Sequence, residues 1–211
     1  MTDTAPREFP LQELAEVIIR FAGDSGDGMQ LTGDQFTSIS AALGNDLATL
    51  PEFPAEIRAP QGTLAGVSAF QVRISDFAIT TPGDAPTVLV AMNPAALKAQ
   101  LHNVVQGGAI ILNSDAFIER NLEKAGYESN PLEDGTLDGY RTYPVAMSQI
   151  TRDAVAVHGV KPRDAERSKN FFALGLISWM YTRPVEPTMD FIKTKFHGRD
   201  LVIQANEAAF Q

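Results

Sequence analysis

The chain has 211 residues, a length that suits one domain or one domain with an appendage. Its 26 acidic residues outweigh 17 Lys and Arg for a formal net charge of −9, so nucleic acid and anionic membranes are disfavoured as main partners. It has no cysteine, which excludes disulfides, thiolate catalysis and cysteine-ligated iron–sulfur clusters within it, and His102, His158 and His197 lie too far apart for usual metal-ligand spacings.

Residues 1–14 read as a polar lead-in without a signal-peptide core, and no run of about 18 apolar residues follows. A cytoplasmic protein is the expectation. EVIIRFA, residues 16–22, is a β-branched run that meets glycines and reads as a strand. From Met29 to Leu43, Leu31, Phe36, Ile39 and Leu43 recur at helical spacing, and Gly44-Asn45 supplies a stop. Residues 48–66 hold three prolines and two glycines and are expected to form a long loop, a type more often functional than incidental. VSAFQVRI, residues 67–74, alternates as a half-buried strand does. VLVAM, residues 88–92, and AIIL, residues 109–112, are apolar throughout, as strands covered on both faces are. Between them Pro94 opens a helix running to about Val105. Asn113 to Asp115 offer caps for a helix reaching about Ala125. Residues 130–140 are turn-rich, and Tyr143 to Val145 make a short strand. Gln149–Val157, Ala165–Tyr181, Pro187–Phe196 and Asp200–Gln211 read as helices, the second apolar on most of its circumference and therefore deeply covered. The β and α elements alternate, so the fold expected is α/β, a Rossmann-like, doubly wound, mostly parallel sheet with extra C-terminal helices.

The glycine turn, GDSGDGMQ, admits several readings. Its order is G-x-x-G-x-G, not the G-x-G-x-x-G of dinucleotide sites, and Asp24 and Asp27 would stand beside the phosphates. Its Gly-Asp-Gly triplet is that of thiamine diphosphate sites, but no Asn occurs between Glu52 and Ile57, where the second metal ligand should fall. A tight turn whose glycines serve packing stays open beside the dinucleotide reading.

Five stretches carry a resemblance: GDSGDGMQLTGDQF, LPEFPAEIRAPQGTLAGVSAFQVRI, VLVAMNPAALK, NPLEDG and ERSKNFFALGLISWMY. Together they resemble the 2-oxoacid:ferredoxin oxidoreductases, in the 2-oxoglutarate branch whose alpha subunit begins with a gamma domain. The resemblance covers nearly all of residues 15–211. It implies a gamma-type domain over residues 15–198 and a last helix, 199–211, that begins a linker to a thiamine-enzyme pyrimidine-binding domain. It also implies oxidative decarboxylation of a 2-oxoacid with coenzyme A to an acyl-CoA and carbon dioxide, with electrons passing to ferredoxin. Thiamine diphosphate, Mg2+ and an iron–sulfur cluster would be held by a beta subunit and the remainder of alpha. The gamma domain itself would cover the active site and serve coenzyme A access or assembly, with no catalytic residue of its own.

On that resemblance the candidates for the cleft or for coenzyme A are Gly23, Gly26, Asp27, Gly28, Arg58 and Asn93. Glu52, Glu56, Arg167, Lys169 and Asn170 are the interface candidates. Arg58 suits an anionic group that a guanidinium grips with two bonds, or a surface ion pair. Asn93 follows a buried strand at the edge where ligands gather, and is equally an N-cap, the preferred reading. Asn113 and Ser114 stand in the same position on the next strand. The competing functions are a free-standing Rossmann dehydrogenase and a partner-binding module without enzymatic activity.

Overall fold

The computed structural model describes residues 12–53 and 66–211. A six-stranded sheet forms their centre, with β1 (Glu16–Asp24), β2 (Asp46–Glu52), β3 (Val67–Ser75), β4 (Val88–Ala91), β5 (Ala109–Asn113) and β6 (Arg141–Val145) in the order β2-β3-β1-β4-β5-β6. β1, β4, β5 and β6 are parallel neighbours, whereas β3 runs antiparallel to both β1 and β2. Five strands therefore share one direction, and β3 alone opposes them.

Strand alternation divides the core in two. Val17, Ile19 and Phe21 of β1, with Val88, Val90 and Met92, face a large cluster built with α1 (Met29–Ala42), α4 (Met147–Ala156), α6 (Lys169–Met180), α7 (Glu186–Lys195) and α8 (Asp200–Phe210). Ala22, Leu89, Ala91, Ile110 and Leu112 face the other way, against α2 (Pro94–Gln100) and the neighbourhood of α3 (Glu119–Lys124). The short helix α5 (Pro162–Ala165) leads through a 3-10 turn into α6. Helices on both faces explain why β4, and β5 as far as Leu112, are apolar throughout.

Four expectations are corrected. The proline-rich stretch from residue 48 is not loop from its start, because β2 runs to Glu52 through Pro51. β2 is an edge strand, the position in a sheet that tolerates proline. β3 is not half-buried. It lies between β2 and β1, with α1 on one face and α2 near the other, and Ser68, Gln71 and Ser75 are buried despite their polarity. The helix expected from Asn113 to Ala125 is a 3-10 turn at Ser114–Ala116 followed by the separate α3. α6 is also shorter than expected, and its C-terminal Trp179 is 71% exposed although its centre is buried.

Candidate functional site at the carboxyl edge of the sheet

The parallel strands β1, β4, β5 and β6 end at one edge, where open α/β sheets bind ligands. β1 ends at Asp24, and the next residues turn tightly, with the Asp27 N–H donating to the Asp24 carbonyl at 2.9 Å. The Asp27 carboxylate returns the contact by accepting from the Asp24 N–H at 2.9 Å. Gly28 follows with φ 75° and opens α1. Positive φ demands glycine there, and a Cβ would also lie 2.8 Å from Asn170 Nδ2, so that side chain would have to shift. Gly23 lies beneath the Asp27 carboxylate, and Gly26 faces open space.

Asn93, directly after β4, performs two tasks. Its Oδ1 accepts from the Ala96 N–H at 2.8 Å and caps α2. Its Nδ2 donates to Asp24 Oδ1 at 3.0 Å and to Asp27 Oδ2 at 3.3 Å. The cap orients the amide, so its N–H bonds are aimed at the two carboxylates. Lys169, the first residue of α6, extends the line with Nζ 3.8 Å from Asp27 Oδ1 and 3.4 Å from Glu166 Oε2. Glu166 in turn accepts from Arg152 Nη1 at 2.8 Å and from Ser148 Oγ at 3.4 Å. Ser148 is tied to the end of β5, because Asn113 Nδ2 donates to its Oγ at 3.2 Å and Asn113 Oδ1 accepts from its N–H at 3.3 Å. Asn113 therefore makes no cap bond to the 3-10 turn that follows it and instead bridges β5 to α4, accepting from an N–H in the first turn of that helix. One line of hydrogen bonds and ion pairs thus joins the ends of β1, β4 and β5 to α4 and α6.

Carboxylates dominate this line. Burial, and then the charge of Asp27, raise the Asp24 carboxyl above its ordinary pKa, while the Asn93 hydrogen bond, Lys169 and Lys124 pull it down. Lys169 is shared between Asp27 and Glu166, so it offers an incoming phosphate little net positive charge. No histidine takes part in these contacts, and Ser148 meets a carboxylate with no imidazole or free amine beside it among the described residues. The geometry suits positioning and recognition, not nucleophilic chemistry.

Of the sequence candidates, Gly23, Asp27, Gly28, Asn93, Lys169 and Asn170 come together here. Arg167 does not: its side chain is 82% exposed, 3.9 Å from Asp164. Glu52, at the end of β2, turns its carboxylate to the buried Arg20. Arg58 and Glu56 lie outside the described residues. Sequence reasoning missed Ser148, Glu166 and Arg152, which carry no local signal. It also missed Arg20, which does: a lone charge in the apolar strand EVIIRFAGD must find a partner.

A family model described as pyruvate ferredoxin/flavodoxin oxidoreductase matches residues 18–211. The KorA subunit of 2-oxoglutarate oxidoreductase from Mycobacterium tuberculosis is 56% identical over 200 residues, which make up 95% of this chain and 31% of that subunit. A solved 2-oxoglutarate:ferredoxin oxidoreductase from Magnetococcus marinus, holding 2-oxoglutarate, coenzyme A and succinyl-CoA, superposes with a TM-score of 0.70 at 27% identity, over 93% of this chain and 30% of that one. Subunit PORC of the pyruvate oxidoreductase from Thermotoga maritima shares the fold, with a TM-score of 0.61 at 19% identity over 94% of each chain. The chain spans less than a third of the length of the first two.

Proposed function

The chain belongs to the pyruvate ferredoxin/flavodoxin oxidoreductase family, and on that premise we propose that it is the gamma-type domain of a 2-oxoglutarate:ferredoxin oxidoreductase. The whole enzyme would convert the 2-oxoacid and coenzyme A to an acyl-CoA and carbon dioxide and pass electrons to ferredoxin. Its partners would be a beta subunit and the rest of an alpha subunit. Residues 15–198 would form the domain, and residues 199–211 would lead toward a thiamine-enzyme domain. The observation that carries this reading is the 56% identity to KorA across 95% of the chain, joined to the polar line at the carboxyl edge.

The residues present do not fit the redox cofactors. An iron–sulfur cluster needs thiolates, and the chain has none. The Asp27 carboxylate of the Gly-Asp-Gly turn is already engaged by the Asp24 N–H, Asn93 and Lys169, which leaves it unsuited to a metal on a diphosphate. Those groups would sit on the other parts of the enzyme. The same charges argue that the phosphates of coenzyme A are held away from the glycine turn, since Asp24 and Asp27 repel them. The carboxyl edge would instead meet a partner domain, or an uncharged part of the substrate, across the active-site cleft.

Reconstitution with a beta subunit and the remainder of alpha tests the reading. The purified 211-residue chain is expected to reduce no dye with 2-oxoglutarate and coenzyme A, and the assembled enzyme to do so. Turnover by the chain alone, or none by the assembly, would overturn the proposal.

A further inference from the structure

The end of β2 is held from both faces of the sheet. On the α1 face, Gln30 Nε2 lies 3.2 Å from the Glu52 carbonyl, 3.0 Å from Ser68 Oγ and 2.8 Å from the Ala69 carbonyl. Gln30 is the second residue of α1, two places after the left-handed Gly28. On the α2 face, Arg20 pairs with the Glu52 carboxylate and donates to Gln71 Oε1 at 3.2 Å. Gln100, the last residue of α2, reaches the same carboxylate at 3.4 Å. Arg20 is only 7% exposed, and its Nε has no partner among the described residues.

This arrangement exceeds what the fold requires. Among the described residues β2 is an edge strand with β3 as its one neighbour, and the ends of such strands fray. Here the last residue is fixed twice, by its backbone to the helix that leaves the glycine turn and by its side chain to β1 and to the far end of the helix that Asn93 caps. We infer that Gln30 and Arg20 are positioning residues that lock the end of β2 to the glycine turn, so that the two segments hold one relative position and open together. The consequence for turnover rests on the proposed function, whereas the lock itself rests only on these contacts.

Amide hydrogen exchange read by mass spectrometry tests the lock in the whole chain and in the assembled enzyme. Gln30→Leu keeps the aliphatic stem and helix propensity but removes both donors. Its side chain is part-exposed, so the variant is expected to fold. Exchange should rise together, roughly fivefold, at residues 52–53 and at residues 24–28, the loss of about one net hydrogen bond, with residues 109–113 unchanged. Faster exchange at residues 52–53 alone, or at neither segment, would overturn the inference. Arg20→Met approaches from the opposite face and should give the same paired response, and a response confined to β1 would count against it. In the assembled enzyme Gln30→Leu should raise the KM for coenzyme A by more than it lowers kcat. Should the unsubstituted assembly turn over no 2-oxoglutarate, the proposed function fails while the exchange data still decide the lock.

Discussion

Arg20 and Glu52 are unequal partners. The arginine side chain is 9% exposed and the glutamate side chain 47%. Removing the arginine leaves a carboxylate that water can reach, whereas removing the glutamate strands a buried cation. Glu52→Ala should therefore cost about 2 kcal/mol, between the values for exposed and buried pairs, and Arg20→Met clearly less, as denaturant midpoints would register. Asp24 presents the complementary case. Its folded pKa is raised, so the ionised form weakens the native state, and that penalty vanishes below the unfolded pKa where both states are protonated. Asp24→Asn should raise the melting temperature at neutral pH, with the gain shrinking as pH falls toward 4, the region where an ordinary Asp titrates. An equal gain at every pH would refute a titration origin. Asn93→Ala removes a cap worth about 1 kcal/mol and deprives Asp24 and Asp27 of their shared donor. Its cost in denaturant should accordingly grow as pH rises through the carboxylate range.

At the scale of elements, α6 and α8 meet backbone to backbone at Gly175. A Cβ at Gly175 would stand 2.0 Å from the Phe210 carbonyl oxygen, a backbone atom that no rotamer change can move aside. Gly175→Ala should destabilise the fold by about 1–3 kcal/mol through overpacking, visible in thermal melts, although alanine is the better helix former. β1, β4 and β5 were legible in the sequence as short apolar runs, and α1 through the helical spacing of Leu31, Phe36 and Ile39. β2 was not, because Pro51 speaks against a strand unless its place at the sheet edge is known. The antiparallel course of β3 was hidden as well, since the alternation of VSAFQVRI says nothing about strand direction. The division of Asn113–Ala125 into a 3-10 turn and α3 left no mark in the cap residues, because Asn113 spends its amide on Ser148.

Across the whole molecule, the candidate site was legible in halves. The glycine turn and Asn93 announced themselves through strand-end positions. Their link to Lys169 joins residues far apart in the chain, Asp27 and Lys169, and no local pattern encodes such a contact. Glu166, Ser148 and Arg152 enter only because α4 and α6 pack beside the same sheet edge. α8 closes this arrangement by packing on α4, α6 and α7 and burying Ala205, Ala209 and Phe210. A chain cut after Arg199 should therefore retain helical circular dichroism yet lose a sharp unfolding transition, since the large core would stay open on one side.

Synthesis from the ribosome gives that closure a further consequence. The sheet is threaded by residue 145, but the helix that seals its larger core starts at Asp200. While the nascent chain emerges at about 5–20 residues per second, Gly175 and its neighbours wait several seconds with their apolar flank uncovered. The vulnerable interval for chaperone capture or aggregation is thus set by the distance along the chain between α6 and α8. Slower translation over residues 181–199 would lengthen it, and a ribosome-bound chain stalled there should be the form most readily bound by a holdase.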